Sequence, residues 1–110
     1  MTIDQPEYPC PIEKTIHTVG GKWTFLILRN MFQGEKRFNQ LQRNLDSISP
    51  RTLSSRLKEL ENAHIITRRV FPETPPHVEY SLTAKGEDLR PIFEAMQTWG
   101  NKWEIMKHKL

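Results

Sequence analysis

A chain of 110 residues has room for one domain with a modest core and not for two. Its 16 lysines and arginines exceed its 13 aspartates and glutamates, a formal charge of +3 that permits an anionic partner without demanding one. No apolar run approaches the roughly 20 residues of a membrane-spanning helix, and the start MTIDQPEY lacks the basic and apolar regions of a signal peptide; a soluble, cytoplasmic protein with no membrane contact is expected, and its one cysteine, Cys10, suits a reducing compartment.

In chain order, Pro11 to Val19 reads as a short helix with proline at its first position and Ile12, Ile16 and Val19 on one face. Gly20-Gly21 breaks it. KWTFLILRNMF follows, apolar nearly all round, as a helix covered on most sides and stopped by Gly34. RFNQLQRNL repeats Phe38, Leu41 and Leu45 at helical spacing, and DSIS is a turn whose Ile48 tucks inward. Ser49 has the chemistry of an N-cap and Pro50 of a first helical residue, so a second helix starts there and runs to about Asn62. Its Leu53, Leu57 and Leu60 form a narrow apolar stripe, which leaves Arg51, Ser55, Lys58 and Asn62 facing away.

ITRRVF and HVEYSL alternate at the strand period on either side of Pro72-Glu73-Thr74-Pro75-Pro76, whose prolines belong in a turn, and together they make a hairpin. Thr83 caps a last helix, in which Leu89, Ile92, Met96, Trp99, Trp103, Met106 and Leu110 recur at gaps of three and four, the spacing of a seam packed on another helix. Pro91 is expected to bend that helix near its first turns.

Helix, turn, helix and two-stranded ribbon, in that order, predict a mainly α fold with a small β-hairpin wing: a winged helix-turn-helix with terminal dimerisation helices. One such domain spans 1–110, with the helix-turn-helix at about 38–62, the wing at about 65–82 and dimerisation segments at about 11–19 and 84–110. In this arrangement the second helix enters the major groove of double-stranded DNA and the wing reaches the neighbouring backbone or minor groove. Residues near the start of a recognition helix contact bases most often, which selects Arg51, Thr52 and Ser55, with Arg56 and Lys58 on the flanks and Ser49 among the free N–H groups that bind phosphate. Arg51 is the first choice for a guanine, because its fork engages O6 and N7 together. Lys36 and Arg37 before the first motif helix support the backbone contact, as do Arg69, Thr74 and His77 on the wing. Arg68 shares an alternation row with Ile66 and Val70 and is expected to pair Glu79 at the core edge, so Arg69 ranks above it.

The stretches CPIEKTIHTVGGKWTFLIL, RFNQLQRNL, ISPRTLSSRLKELE, VFPETPPHVEYSLTAKG and TWGNKW, in this order over almost the whole chain, resemble the HxlR-type winged helix-turn-helix regulators of bacteria, relatives of the MarR group. The resemblance implies a homodimeric transcription factor that reads an inverted-repeat operator with two recognition helices about 34–36 Å apart. Ile12, Ile16, Leu89, Ile92, Met96, Trp99, Trp103 and Met106 would form the dimer interface, the two tryptophans as anchors. One departure is His64, where the family commonly has glycine; histidine tolerates a left-handed backbone better than most residues. The resemblance also implies that Cys10, just before the first helix, is a redox or electrophile sensor. Open N–H groups at a helix start favour a thiolate, Glu7 and Glu13 oppose it, and the competing reading is a capping thiol with no signalling role.

Two other classes compete with this reading. An enzyme lacks support, since His17, His64, His77 and His108 are widely spaced, no HExxH, CxxC or phosphate-loop pattern occurs, and no cofactor or metal is implied. A winged helix devoted to protein–protein contact, without DNA binding, is the stronger alternative, because a fold alone does not fix its partner.

Overall fold

A computed structural model of the protein describes residues 10–34 and 36–103. The elements are α1 (Pro11–Val19), α2 (Lys22–Phe32), α3 (Phe38–Asn44), α4 (Pro50–Asn62), β1 (Ile66–Phe71), β2 (His77–Leu82), α5 (Ala84–Glu87) and α6 (Arg90–Trp103). The break between α1 and α2 needs glycine, because Gly21 sits at φ +100°, where a side chain is strained. Beyond it, α2 runs through the centre of the molecule, with Ile27 and Leu28 fully buried and Trp23, Phe25, Leu26 and Phe32 half-buried.

Leu41 and Leu45 of the α3 region, Ile48 of the turn, and Leu53, Leu57 and Leu60 of α4 close the core against α2, together with Ile65, Ile66 and Tyr80. Burying each such side chain is worth roughly 1.5–3 kcal/mol. Polar pins set the angle between the helices. The buried Asn30 donates from Nδ2 to the Leu26 carbonyl at 2.9 Å and accepts from Asn44 Nδ2 at 3.3 Å, which ties the end of α3 to α2. Gln42 Nε2 donates to the Ile48 carbonyl and holds the turn under α4.

After α4 the chain reverses through His64 at φ 63°, the left-handed conformation its position demands. The carbonyls freed there have partners: Lys85 Nζ donates to Ala63 O at 2.8 Å, and Thr83 Oγ1 to His64 O at 2.7 Å. The hairpin is antiparallel, in register from Ile66 opposite Leu82 to Phe71 opposite His77. Its outer edge gains a piece the sequence did not announce, since Arg37 bridges Glu79 and the Tyr80 N–H donates to Lys36 O at 2.8 Å. Two residues are too few to show a strand period.

The last helix differs from expectation. Pro91 does not bend a continuous helix; the chain breaks at Asp88-Leu89, and α6 restarts with Pro91 in its first turn. Proline has no N–H to give the Glu87 carbonyl and its ring would clash there, whereas a first turn requires no such donor. The break turns Leu89 into the core, 9% exposed, so this member of the predicted seam is a core residue of the single chain. Gly86, just before, is pressed so closely on Ile65 that a Cβ would lie 2.3 Å from its carbonyl oxygen. Phe93 then seats α6 between Phe25 and Phe32, with ring centroids 5.3 and 5.1 Å away. Arg90 Nη1 donates to Phe32 O at 3.0 Å.

Candidate nucleic-acid interface

Why α4 begins where it does is visible in its first turn. Ser49 Oγ accepts from the Thr52 N–H at 3.0 Å and donates to Thr52 Oγ1 at 2.9 Å, and Pro50 fills a position whose N–H would have no partner. The cap occupies Ser49 and leaves Thr52 half-buried. With Leu53, Leu57 and Leu60 turned into the core, Arg51, Ser55, Lys58 and Asn62 are exposed on the opposite side. Arg51 and Lys58 are without a hydrogen bond or ion pair among the described residues. Arg56 is placed differently: it lies on the far flank and pairs Glu59 at 3.1 Å.

The wing presents two unlike faces. Register puts Arg69, not Arg68, across from Glu79. Arg69 lies over the Phe71 ring at 4.8 Å, and Phe71 in turn stacks on His77 at 4.8 Å. The His77 ring faces carboxylates at both nitrogens, Glu79 Oε2 at 3.1 Å from Nε2 and Glu73 Oε1 at 3.5 Å from Nδ1. Arg37 Nε approaches the same Glu79 oxygen at 3.7 Å. These residues therefore brace the loop end of the wing, while Thr74 stands exposed in its loop and Lys36 is exposed at the sheet edge.

Arg68 is opposite Tyr80, on the face turned toward α4. There it shares a groove of about 490 Å³ with Ser54, Lys58 and Glu61 of α4, floored by Val78 and Tyr80. Ser54 and Arg68 are the members of this groove that the sequence alone does not single out. The signal was present in the i, i+4, i+7 spacing of Ser54, Lys58 and Glu61, a second polar stripe beside the outward one.

Away from α4, an apolar surface is open. Ile12 and Ile16 of α1 are 69% and 59% exposed, and Ile92, Met96, Trp99 and Trp103 of α6 lie between 45% and 58%. Between the two helices runs an apolar groove of about 620 Å³. Met106 lies outside the described residues. Cys10 is half-buried at the N-cap of α1, and its side chain makes no capping hydrogen bond. Among the described residues, no group of three or more His, Cys, Asp and Glu side chains is placed to hold a metal ion, and no helix is long and apolar enough to cross a membrane.

A short first helix and turn, a capped second helix with its polar face uncovered, and a hairpin behind it define a winged helix-turn-helix protein. The chain belongs to the HxlR-like helix-turn-helix family, whose model matches residues 18–108. It is similar to the HTH-type transcriptional regulator sll1512 of Synechocystis, 45% identical over 94 residues that cover 86% of this chain and 70% of that protein. Among solved structures it resembles the redox regulator HypR in its reduced form, with TM-score 0.82, 40% identity, and coverage of 92% of this chain and 100% of that one. The reduced form of the transcriptional regulator YodB from Bacillus subtilis gives TM-score 0.75 at 38% identity, covering 89% and 97%. This protein is thus a transcriptional regulator of the helix-turn-helix type.

Proposed function

We propose that the protein binds duplex DNA as a homodimer at an inverted-repeat operator, with α4 in the major groove and the hairpin reaching across the adjacent backbone toward the minor groove. The observation that carries the reading is the uncovered polar side of α4, where Arg51 and Ser55 stand exposed beside the capped first turn. An unpaired arginine at that position matches the O6 and N7 acceptors of guanine. Pairing is supported by the exposed stripe of Ile12, Ile16, Ile92, Met96, Trp99 and Trp103, an apolar surface of the kind that marks a protein contact. Association through it would direct two copies of α4 at one duplex.

The same reading makes Cys10 the sensor. Its support is the half-buried thiol at the start of α1, the helix that carries the exposed Ile12 and Ile16, together with the likeness to HypR, a redox regulator. A peroxide would transfer one oxygen to the sulfur as its O–O bond breaks, giving a sulfenic acid and releasing water or an alcohol. A second thiol then displaces that hydroxyl as water to form a disulfide. With one cysteine in the chain, the second thiol comes from another molecule.

Selection of bound fragments from genomic DNA tests the DNA reading. The expected product is a symmetric site with half-sites one helical turn apart; no enrichment over input DNA, as for a winged helix that contacts only protein, refutes it. For Cys10, mass spectrometry after mild peroxide treatment should find the modified thiol in the same samples that lose DNA binding. An unmodified thiol in samples that have lost binding removes the sensor role.

A further inference from the structure

A helix in the major groove and a wing in the adjacent minor groove stand on either side of the sugar-phosphate strand that separates the two grooves. In this protein the space between those elements is the groove walled by Ser54, Lys58 and Glu61 on α4 and by Arg68 on β1. We infer that this groove seats a DNA backbone phosphate, gripped by Arg68 from the wing side and Lys58 from the helix side, with the Ser54 hydroxyl as a third donor. The inference rests on the DNA-binding reading above and adds to it a phosphate site that links the two reading elements.

Charge accounting supports it. Arg37, Arg56 and Arg90 each have a carboxylate partner, Glu79, Glu59 and Glu87. Arg68 and Lys58 have none among the described residues, although both line one groove. Glu61 is the single carboxylate there and lies outside ion-pair range of both, so two exposed cations face one anion across an open groove. Such a site has a net attraction for a phosphate, and the planar fork of an arginine suits two phosphate oxygens. Register explains why Arg68 and not Arg69 holds this place: Arg68 is opposite Tyr80 on the face toward α4, whereas Arg69 is opposite Glu79 and lies over Phe71. The β period puts neighbouring arginines on opposite faces, one to brace the wing and one to meet the backbone.

The test is the salt dependence of binding to a random-sequence duplex, measured by fluorescence anisotropy on the full chain and on Arg68→Ala, Arg69→Ala and Glu61→Gln, each checked for an unchanged thermal melt. Losing one phosphate contact lowers the slope of log affinity against log salt by about 0.9 per bound subunit, or about eightfold in affinity at 0.1 M relative to a 1 M reference. Arg68→Ala is expected to show that loss on random and operator DNA alike, Arg69→Ala a smaller one, and Glu61→Gln tighter binding. Should Arg68→Ala melt early, Arg68→Gln, which keeps the side-chain stem, takes its place. An unchanged slope in a folded Arg68 variant overturns the phosphate site and leaves the α4 reading standing, as does a loss confined to operator DNA. An unsubstituted protein with no salt-dependent duplex binding overturns both.

Discussion

Ser49 carries more of this structure than its size suggests, because one hydroxyl closes the first turn of α4 and so fixes where the exposed face begins. Ser49→Ala removes that acceptor, and thermal denaturation should register a loss of about 1 kcal/mol, or roughly 4 °C in Tm for a chain of this size; an unchanged Tm would mean that Pro50 and the core leucines set the helix start alone. Lys36, exposed at the sheet edge, is expected to act differently from Arg51. Lys36→Ala should weaken all duplexes about equally, while Arg51→Ala should cost about 1–3 kcal/mol of preference for the operator over a site with one altered base pair. Anisotropy on the two duplexes separates the cases. At this scale the cap was legible because capping chemistry is local, needing only Ser49, Pro50 and the leucines after them. The neighbours of Arg68, Arg69 and His77 were not legible. Alternation says that adjacent residues face opposite ways, but the register between β1 and β2 decides which arginine meets Glu79 and leaves His77 between Glu73 and Glu79.

Among the elements, α1 to α4 and both strands lie where apolar periodicity and turn residues place them, since each carries its own start and stop signal. The segment after Thr83 misleads because its apolar spacing continues across Asp88-Leu89, and periodicity alone does not reveal that Pro91 forbids the i−4 bond. That elbow is held by Arg90, which donates to both Glu87 oxygens, at 2.9 and 3.1 Å, and to Phe32 O. The hydrogen bond from Arg90, helped by its charge, holds the Glu87 carboxyl below its ordinary value of 4.5. A carboxyl depressed in the folded state contributes stability that is fully present above 4.5 and fades as pH falls through the lower folded value. Thermal melts of the protein and Glu87→Gln should therefore differ by a small constant amount above pH 5 and converge in acid. A gap that widens on acidification would contradict this role. Arg90→Ala should be the more damaging change at neutral pH, since it also frees the Phe32 carbonyl and uncovers the Phe32 ring.

At the scale of the whole molecule, the exposed side of α4 and the apolar surface of α1 and α6 are separate features. Burial could not be read from the seam spacing, because a helix stripe looks the same whether it meets its own chain or another; the structure divides that stripe, sending Leu89 inward and leaving Ile92, Met96, Trp99 and Trp103 outside. Trp99→Ala is expected to shift sedimentation from dimer to monomer without unfolding the chain, and an unchanged sedimentation coefficient would count against this surface as the pairing face. The most direct measurement for the account is guanine-N7 methylation interference on the selected operator, with the unsubstituted protein and Arg51→Ala side by side. The account predicts that methylating one guanine in each half-site blocks the unsubstituted protein, and that this block disappears for Arg51→Ala while the others remain. Interference that is identical for both proteins would contradict the Arg51 contact, and its absence from the major groove altogether would contradict the placement of α4 against the bases.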